Sequence, residues 1–80
     1  MQFLRVRDVA ARTARSQSQL YKEVQRGLFP KPMNIGTGGR TMSAWQESEI
    51  ERMMKAIVRG ATNAELETVA RQIEQDRESA

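Results

Sequence analysis

Along the chain, stretches in which apolar residues recur every three or four positions give way to stretches in which they alternate with polar ones. Phe3-Leu4-Arg5-Val6 forms a short apolar, extended lead. Val6, Val9, Ala10 and Thr13 follow at helical spacing, and Asp8 sits where a first-turn carboxylate suits the helix dipole. A first helix is expected over about residues 7–13. Ser16 and Gln19 have the spacing of a capping box, in which the serine oxygen and the glutamine side chain satisfy each other's backbone N–H groups. Leu20, Val24 and Leu28 then lie four apart, predicting a second helix over about residues 17–26 that stops at Gly27. Phe29-Pro30-Lys31-Pro32 cannot continue it, because each proline disfavours helical geometry in the residue before it. Met33-Asn34-Ile35 and Thr41-Met42-Ser43 alternate around Gly36-Thr37-Gly38-Gly39-Arg40, the pattern of a β-hairpin with a glycine-rich tip.

Beyond the hairpin, Ser43 and Gln46 offer another capping box, placing Trp45 in the first turn of a third helix. Ile50, Met53, Met54, Ile57 and Val58 mark its buried face through about Arg59, and Gly60 ends it. Thr62 and Glu65 cap a last helix, whose narrower stripe of Leu66, Val69, Ala70 and Ile73 runs through about Asp76. The short link makes the last two helices an antiparallel hairpin. The expected fold is mainly α with a small β-hairpin.

Composition narrows the function. The 80 residues contain neither cysteine nor histidine. A disulfide framework, a thiolate metal site, a cysteine nucleophile and the usual general base are thereby excluded. The longest apolar runs are far below the roughly 18–20 residues of a membrane span, and the N-terminus lacks the apolar region of a signal peptide. A single cytoplasmic binding domain is expected, not an enzyme, with no cofactor, no metal and no small-molecule ligand.

Net charge is +3, unevenly spread. Residues 1–45 carry eight cations against Asp8 and Glu23, a net of +6, whereas residues 46–80 carry five against eight anions, a net of −3. The split suggests that one half faces a polyanion and the other does not, the alternative being a solvated surface of uneven charge.

The segment that best fits such a role is helix, three-residue turn, helix, whose second helix can enter a DNA major groove. With Leu20 and Val24 inward, Gln17, Ser18, Tyr21, Lys22 and Gln25 face out. Glutamine can pair with adenine edges, and lysine bonds guanine or phosphate. The glycine-rich tip, with Thr37 and Arg40 and with Lys31 at its base, resembles a wing that approaches the adjacent backbone or minor groove. It is not a nucleotide-binding loop, having no Gly-Lys-Ser/Thr ending and no helix starting at its glycines. Trp45 reads as a core anchor, and Met53 and Met54 as core. Glu47, Glu49 and Glu51 splay around a helix and are expected in solvent, with Glu51 paired to Lys55.

Phe3-Leu4-Arg5-Val6-Arg7-Asp8-Val9, Ser16-Gln17-Ser18-Gln19-Leu20-Tyr21, Gly27-Leu28-Phe29-Pro30-Lys31-Pro32 and Trp45-Gln46-Glu47-Ser48-Glu49-Ile50 together resemble the AlpA family of prophage-type regulators. The likeness covers about residues 3–58. It implies a MerR-like winged helix-turn-helix fold, related to phage excisionases, and a DNA-binding transcriptional regulator. It also implies a recognition helix at Gln17–Arg26 and a wing at Ile35–Arg40. Family members usually carry a glycine and an apolar residue in the turn, where this chain has Ala14 and Arg15.

The expected organisation is a winged helix-turn-helix over residues 1–59, with a C-terminal helix over 60–80 that packs on it or serves assembly. The expected partner is double-stranded DNA, with a homodimer or a cooperative assembly on DNA as the options, because one small module offers little contact area. Arg12, Arg15, Ser16, Gln17, Ser18, Tyr21, Lys22, Gln25, Lys31, Thr37 and Arg40 are the expected contact residues. The competing functions are an excisionase-like DNA-bending factor and a protein-interaction module acting through the C-terminal helices.

Overall fold

A computed structural model of the protein describes residues 2–36, 39 and 41–78. The elements run β1 (Phe3–Arg5), α1 (Val6–Arg12), α2 (Gln17–Gln25), β2 (Met33–Ile35), β3 (Met42–Gln46), α3 (Glu47–Val58) and α4 (Asn63–Glu78). The three strands form one antiparallel sheet in the order β1-β3-β2. Four helices around a small sheet are consistent with a winged helix-like fold, mostly helical. Among the described residues no helix is long and apolar enough to cross a membrane.

The extended lead is a true strand. Leu4 pairs with Trp45 and Arg5 with Ala44, and the Glu47 N–H donates to the Gln2 carbonyl at 2.8 Å. Leu4 is thereby buried. This pairing corrects the expected start of the third helix. Ser43 and Gln46 cap nothing as a pair, because both lie in β3, and Trp45 is a strand residue. Met33 and Asn34 pair with β3 on its other side, so Ala44 has a strand partner in both directions. Ala44 and Trp45, which point to opposite faces of a strand, are both fully buried. A helix begun at Ser43 would give up both ladders. It begins instead at Glu47, and the Glu49 carboxylate accepts from the Gln46 N–H at 3.0 Å.

Trp45 is the centre of the core. Its ring meets Phe29 edge-on, with centroids 6.3 Å apart and planes at 88°, and its Nε1–H donates to the Pro30 carbonyl at 2.7 Å. Leu20 of α2, Ile50 and Met53 of α3, and Ala70 and Ile73 of α4 complete the same cluster.

Glu49 departs from the expectation that it is solvated. It is only 6% exposed, because Arg77 of α4 clasps it with two bonds of 2.7 and 2.9 Å. A third Arg77 nitrogen donates to the Lys31 carbonyl at 2.7 Å, and the Glu74 carboxylate accepts from the Lys31 N–H at 3.3 Å. The C-terminal end of α4 therefore holds both the start of α3 and the segment leading to β2. At the other end the Thr62–Glu65 capping box forms in both directions, at 3.0 and 3.2 Å. The backbone bond from Thr62 holds the Glu65 carboxyl below its ordinary value. Asp76 is held low by Gln72 and then by Arg52, with which it bridges α3 and α4.

Three helices end in the same way. After α2, Gly27 adopts φ +79°, its N–H bonds the Val24 carbonyl, and the Leu28 N–H bonds that of Glu23. After α3, Gly60 repeats this with Ile57, and Ala61 with Ala56. After α1 the same two bonds run from Ala14 to Ala11 and from Arg15 to Ala10, but the left-handed residue is Ala14, at φ +57°. These are Schellman motifs, and their left-handed position favours glycine because it has no Cβ to collide with the backbone. Ala14→Gly is expected to stabilise the protein by about 0.5–1.5 kcal/mol, the left-handed strain outweighing glycine's greater unfolded-state entropy. Urea denaturation followed by circular dichroism measures this, and an unchanged or lower midpoint would contradict it.

Candidate nucleic-acid interface

The turn between α1 and α2 sets the direction of the second helix. Ser16 caps α2, its hydroxyl accepting from the Gln19 N–H at 3.1 Å. Only this half of the expected capping box forms, since the Gln19 side chain reaches forward to Glu23 at 3.3 Å. Leu20 is fully buried and Val24 half-buried, which leaves Ser18, Lys22 and Gln25 pointing away from the core. Gln17 and Tyr21, one turn apart, lie on the flank of that outward face.

That flank closes one side of an open groove of about 740 Å³. Gln17 and Tyr21 of α2 face Thr41, Met42 and Ser43 at the start of β3, and Arg5, Val6, Arg7 and Asp8 contribute from the junction of β1 and α1. The groove therefore lies between the second helix and the base of the β2–β3 hairpin. Among the described residues, Arg5, Arg7, Lys22 and Arg26 engage in no salt bridge, so their charge faces solvent. Among the described residues that line the groove the one acid is Asp8, which accepts from the Arg5 N–H at 3.4 Å.

The expected contact residues fall into three groups. Gln17 and Tyr21 line the groove, and Ser18, Lys22 and Gln25 are exposed beside it. Arg12, Arg15, Ser16 and Lys31 do not line it. Arg12 pairs with Glu47 at 2.9 Å, tying α1 to the start of α3. Arg15 turns inward: it bonds Glu23 at 2.6 Å and the Thr13 carbonyl at 2.9 Å, with both partners of the pair largely covered. Lys31 is fixed through its backbone to α4. Thr37 and Arg40 lie outside the described residues.

Arg5 and Arg7 were missed as contact candidates. The signal for them was present: Val6 and Val9 face the core, which turns the neighbouring arginines outward. What the one-dimensional pattern lacked was the β1–β3 pairing that carries Arg5 beside the hairpin.

A sequence profile of the family described as prophage CP4-57 regulatory protein (AlpA) matches residues 2–58. Searches of curated proteins and of solved structures each gave no match. The profile spans both sides of the groove and stops at the end of α3.

The inward pair is open to test without any ligand. Glu23→Gln leaves the Arg15 guanidinium half-buried without its counter-charge, and should cost about 1–2 kcal/mol, between the values for exposed and buried pairs. Chemical denaturation measures it. A change near zero would mean that the pair does not hold the turn.

Proposed function

The chain belongs to the prophage regulatory protein (AlpA) family, a family of DNA-binding regulators, and from that premise we propose that it recognises duplex DNA through the groove-bearing face. α2 lies in the major groove, and the hairpin meets the adjacent backbone or minor groove. The observation that carries this reading is the placement of charge. Arg5, Arg7 and Lys22, free of salt bridges among the described residues, belong to the elements around the groove, and Arg26, likewise free of them, caps the end of α2. The region of α3 and α4 also holds Lys55, Arg59 and Arg71 outside any salt bridge among the described residues, but its acids outnumber its cations, and residues 46–80 sum to −3. A polyanion is drawn to the first surface and repelled by much of the second.

Within that face the roles divide by chemistry. Ser18, Lys22 and Gln25, on the outward side of α2, reach base edges or phosphates, and Gln17 presents an amide suited to adenine. Arg5 and Arg7 hold the phosphates of the strand that enters the groove. Arg15 acts indirectly: by gripping Glu23 it fixes the angle at which α2 leaves the turn. Arg12 does the same for α1 against α3. The match to a family of prophage regulators supports transcriptional control as the role of the binding.

Binding to duplexes selected from random sequence, titrated with salt, tests this. Arg7→Ala should weaken binding to all sequences alike and reduce the slope of log K against log salt by about one. Gln17→Ala should cost about 1–3 kcal/mol on the selected site and relax preference at one position. Arg71→Ala, on α4, should change neither. Equal losses for Arg7→Ala and Arg71→Ala would place the DNA elsewhere.

A further inference from the structure

Four large apolar side chains are markedly exposed among the described residues: Phe3, Tyr21, Met42 and Val58. Two of them, Tyr21 at 46% and Met42 at 41%, line the same groove, although they are 21 positions apart and belong to a helix and a strand. Around them the groove is polar, with Arg5, Arg7 and Gln17 nearest in kind to nucleic-acid ligands. Two apolar side chains, one on the helix wall and one on the strand wall, set among hydrogen-bonding side chains suit a ligand surface of the same design, one apolar group among donors and acceptors.

The major-groove edge of an A·T pair has that design. Adenine offers an acceptor and a donor, thymine offers an acceptor and its 5-methyl, and no other pair presents an apolar group. That methyl stands at the wall of the major groove, close to the backbone of its own strand. Tyr21 lies on the flank of α2 beside the groove, not at the outermost point of the helix, and the arginines there suit the same backbone. Gln17 is one helical turn away, a rise of about 6 Å and hence within two base steps. Its amide is the type that pairs with adenine.

We propose that Tyr21 and Met42 together form an apolar seat for thymine 5-methyl groups, so that the chain discriminates thymine from uracil and cytosine at the edge of its site. The inference rests on the DNA-binding reading above and adds to it a chemical group and the residues that read it. Covering one methyl contributes about fourfold in affinity.

The test uses the full chain and a duplex selected from random sequence, made once with thymine and once with uracil in its place. The wild-type protein should bind the uracil duplex about fourfold more weakly for each methyl seated. Met42→Ala and, separately, Tyr21→Ser should bring the ratio of the two affinities close to one. Arg7→Ala should lower both affinities and leave the ratio as it was. Circular dichroism confirms that each variant is folded, and because the substitutions lie in different elements, a failure of either to fold leaves the other to decide. Equal binding of the two duplexes by the wild-type protein overturns the seat and leaves the DNA-binding reading intact. So does a selected site without thymine, or a ratio that survives in every folded variant. Absence of salt-dependent binding to either duplex overturns the DNA-binding reading, and the seat with it.

Discussion

The hydrogen bond from the Trp45 indole to the Pro30 carbonyl, with the Phe29 ring set edge-on against the same side chain, is the constraint on which the rest depends. Trp45 stands in the central strand, and Pro30 in the segment that leaves α2. Closing that contact in a fully buried site fixes where α2 ends relative to the sheet. The distance between helix and hairpin, and so the width of the groove, follows from it. An indole N–H left without a partner there would cost about 1–3 kcal/mol, which a domain of this size can hardly spare. The core then grows outward from Trp45 through Leu20, Ile50 and Ile73, one residue from each helix that must be positioned.

Charge is sorted by this framework as well. Arg12, Arg15, Arg52 and Arg77 are consumed in pairs that join one element to another. Arg77 is the most demanding of these, because it neutralises the buried Glu49 and also holds the Lys31 carbonyl. Through it the last helix supports the far side of the same loop that Trp45 grips. The family profile ends at residue 58, yet Ala70 and Ile73 belong to the core, so α4 contributes packing that the matched region does not contain. The cations outside these pairs include Arg5, Arg7, Lys22 and Arg26, and they give the groove-bearing face its sign.

Local patterns foretold local structure. The 3.6-residue spacing of Leu20 and Val24 placed α2, and the glycines at 27 and 60 marked two helix ends, because those signals are set by backbone geometry within a few residues. Much of the rest is decided by a distant partner, though not Val58, which reads as the end of α3's buried face and is 86% exposed. Trp45 looks helical beside Glu47, Glu49 and Ile50, but Leu4, 41 residues earlier, draws it into a sheet. Glu49 looks solvated until Arg77 arrives from 28 residues away. Arg15 looks like a phosphate ligand until Glu23 turns it inward. The site was legible to the same extent: the outward face of α2 was plain from its spacing, whereas Arg5, Arg7 and Met42 join it only through strand pairing.

The central claim is that one face of this molecule, the groove between α2 and the hairpin, meets DNA. Chemical-shift mapping of the isotope-labelled chain during titration with a selected duplex tests it most directly. The account predicts that the largest changes cluster at Arg5, Arg7, Gln17, Tyr21, Lys22 and Met42, while the exposed side of α4 around Arg71 stays unperturbed. Perturbation centred on α3 and α4, with the groove residues unchanged, would contradict it.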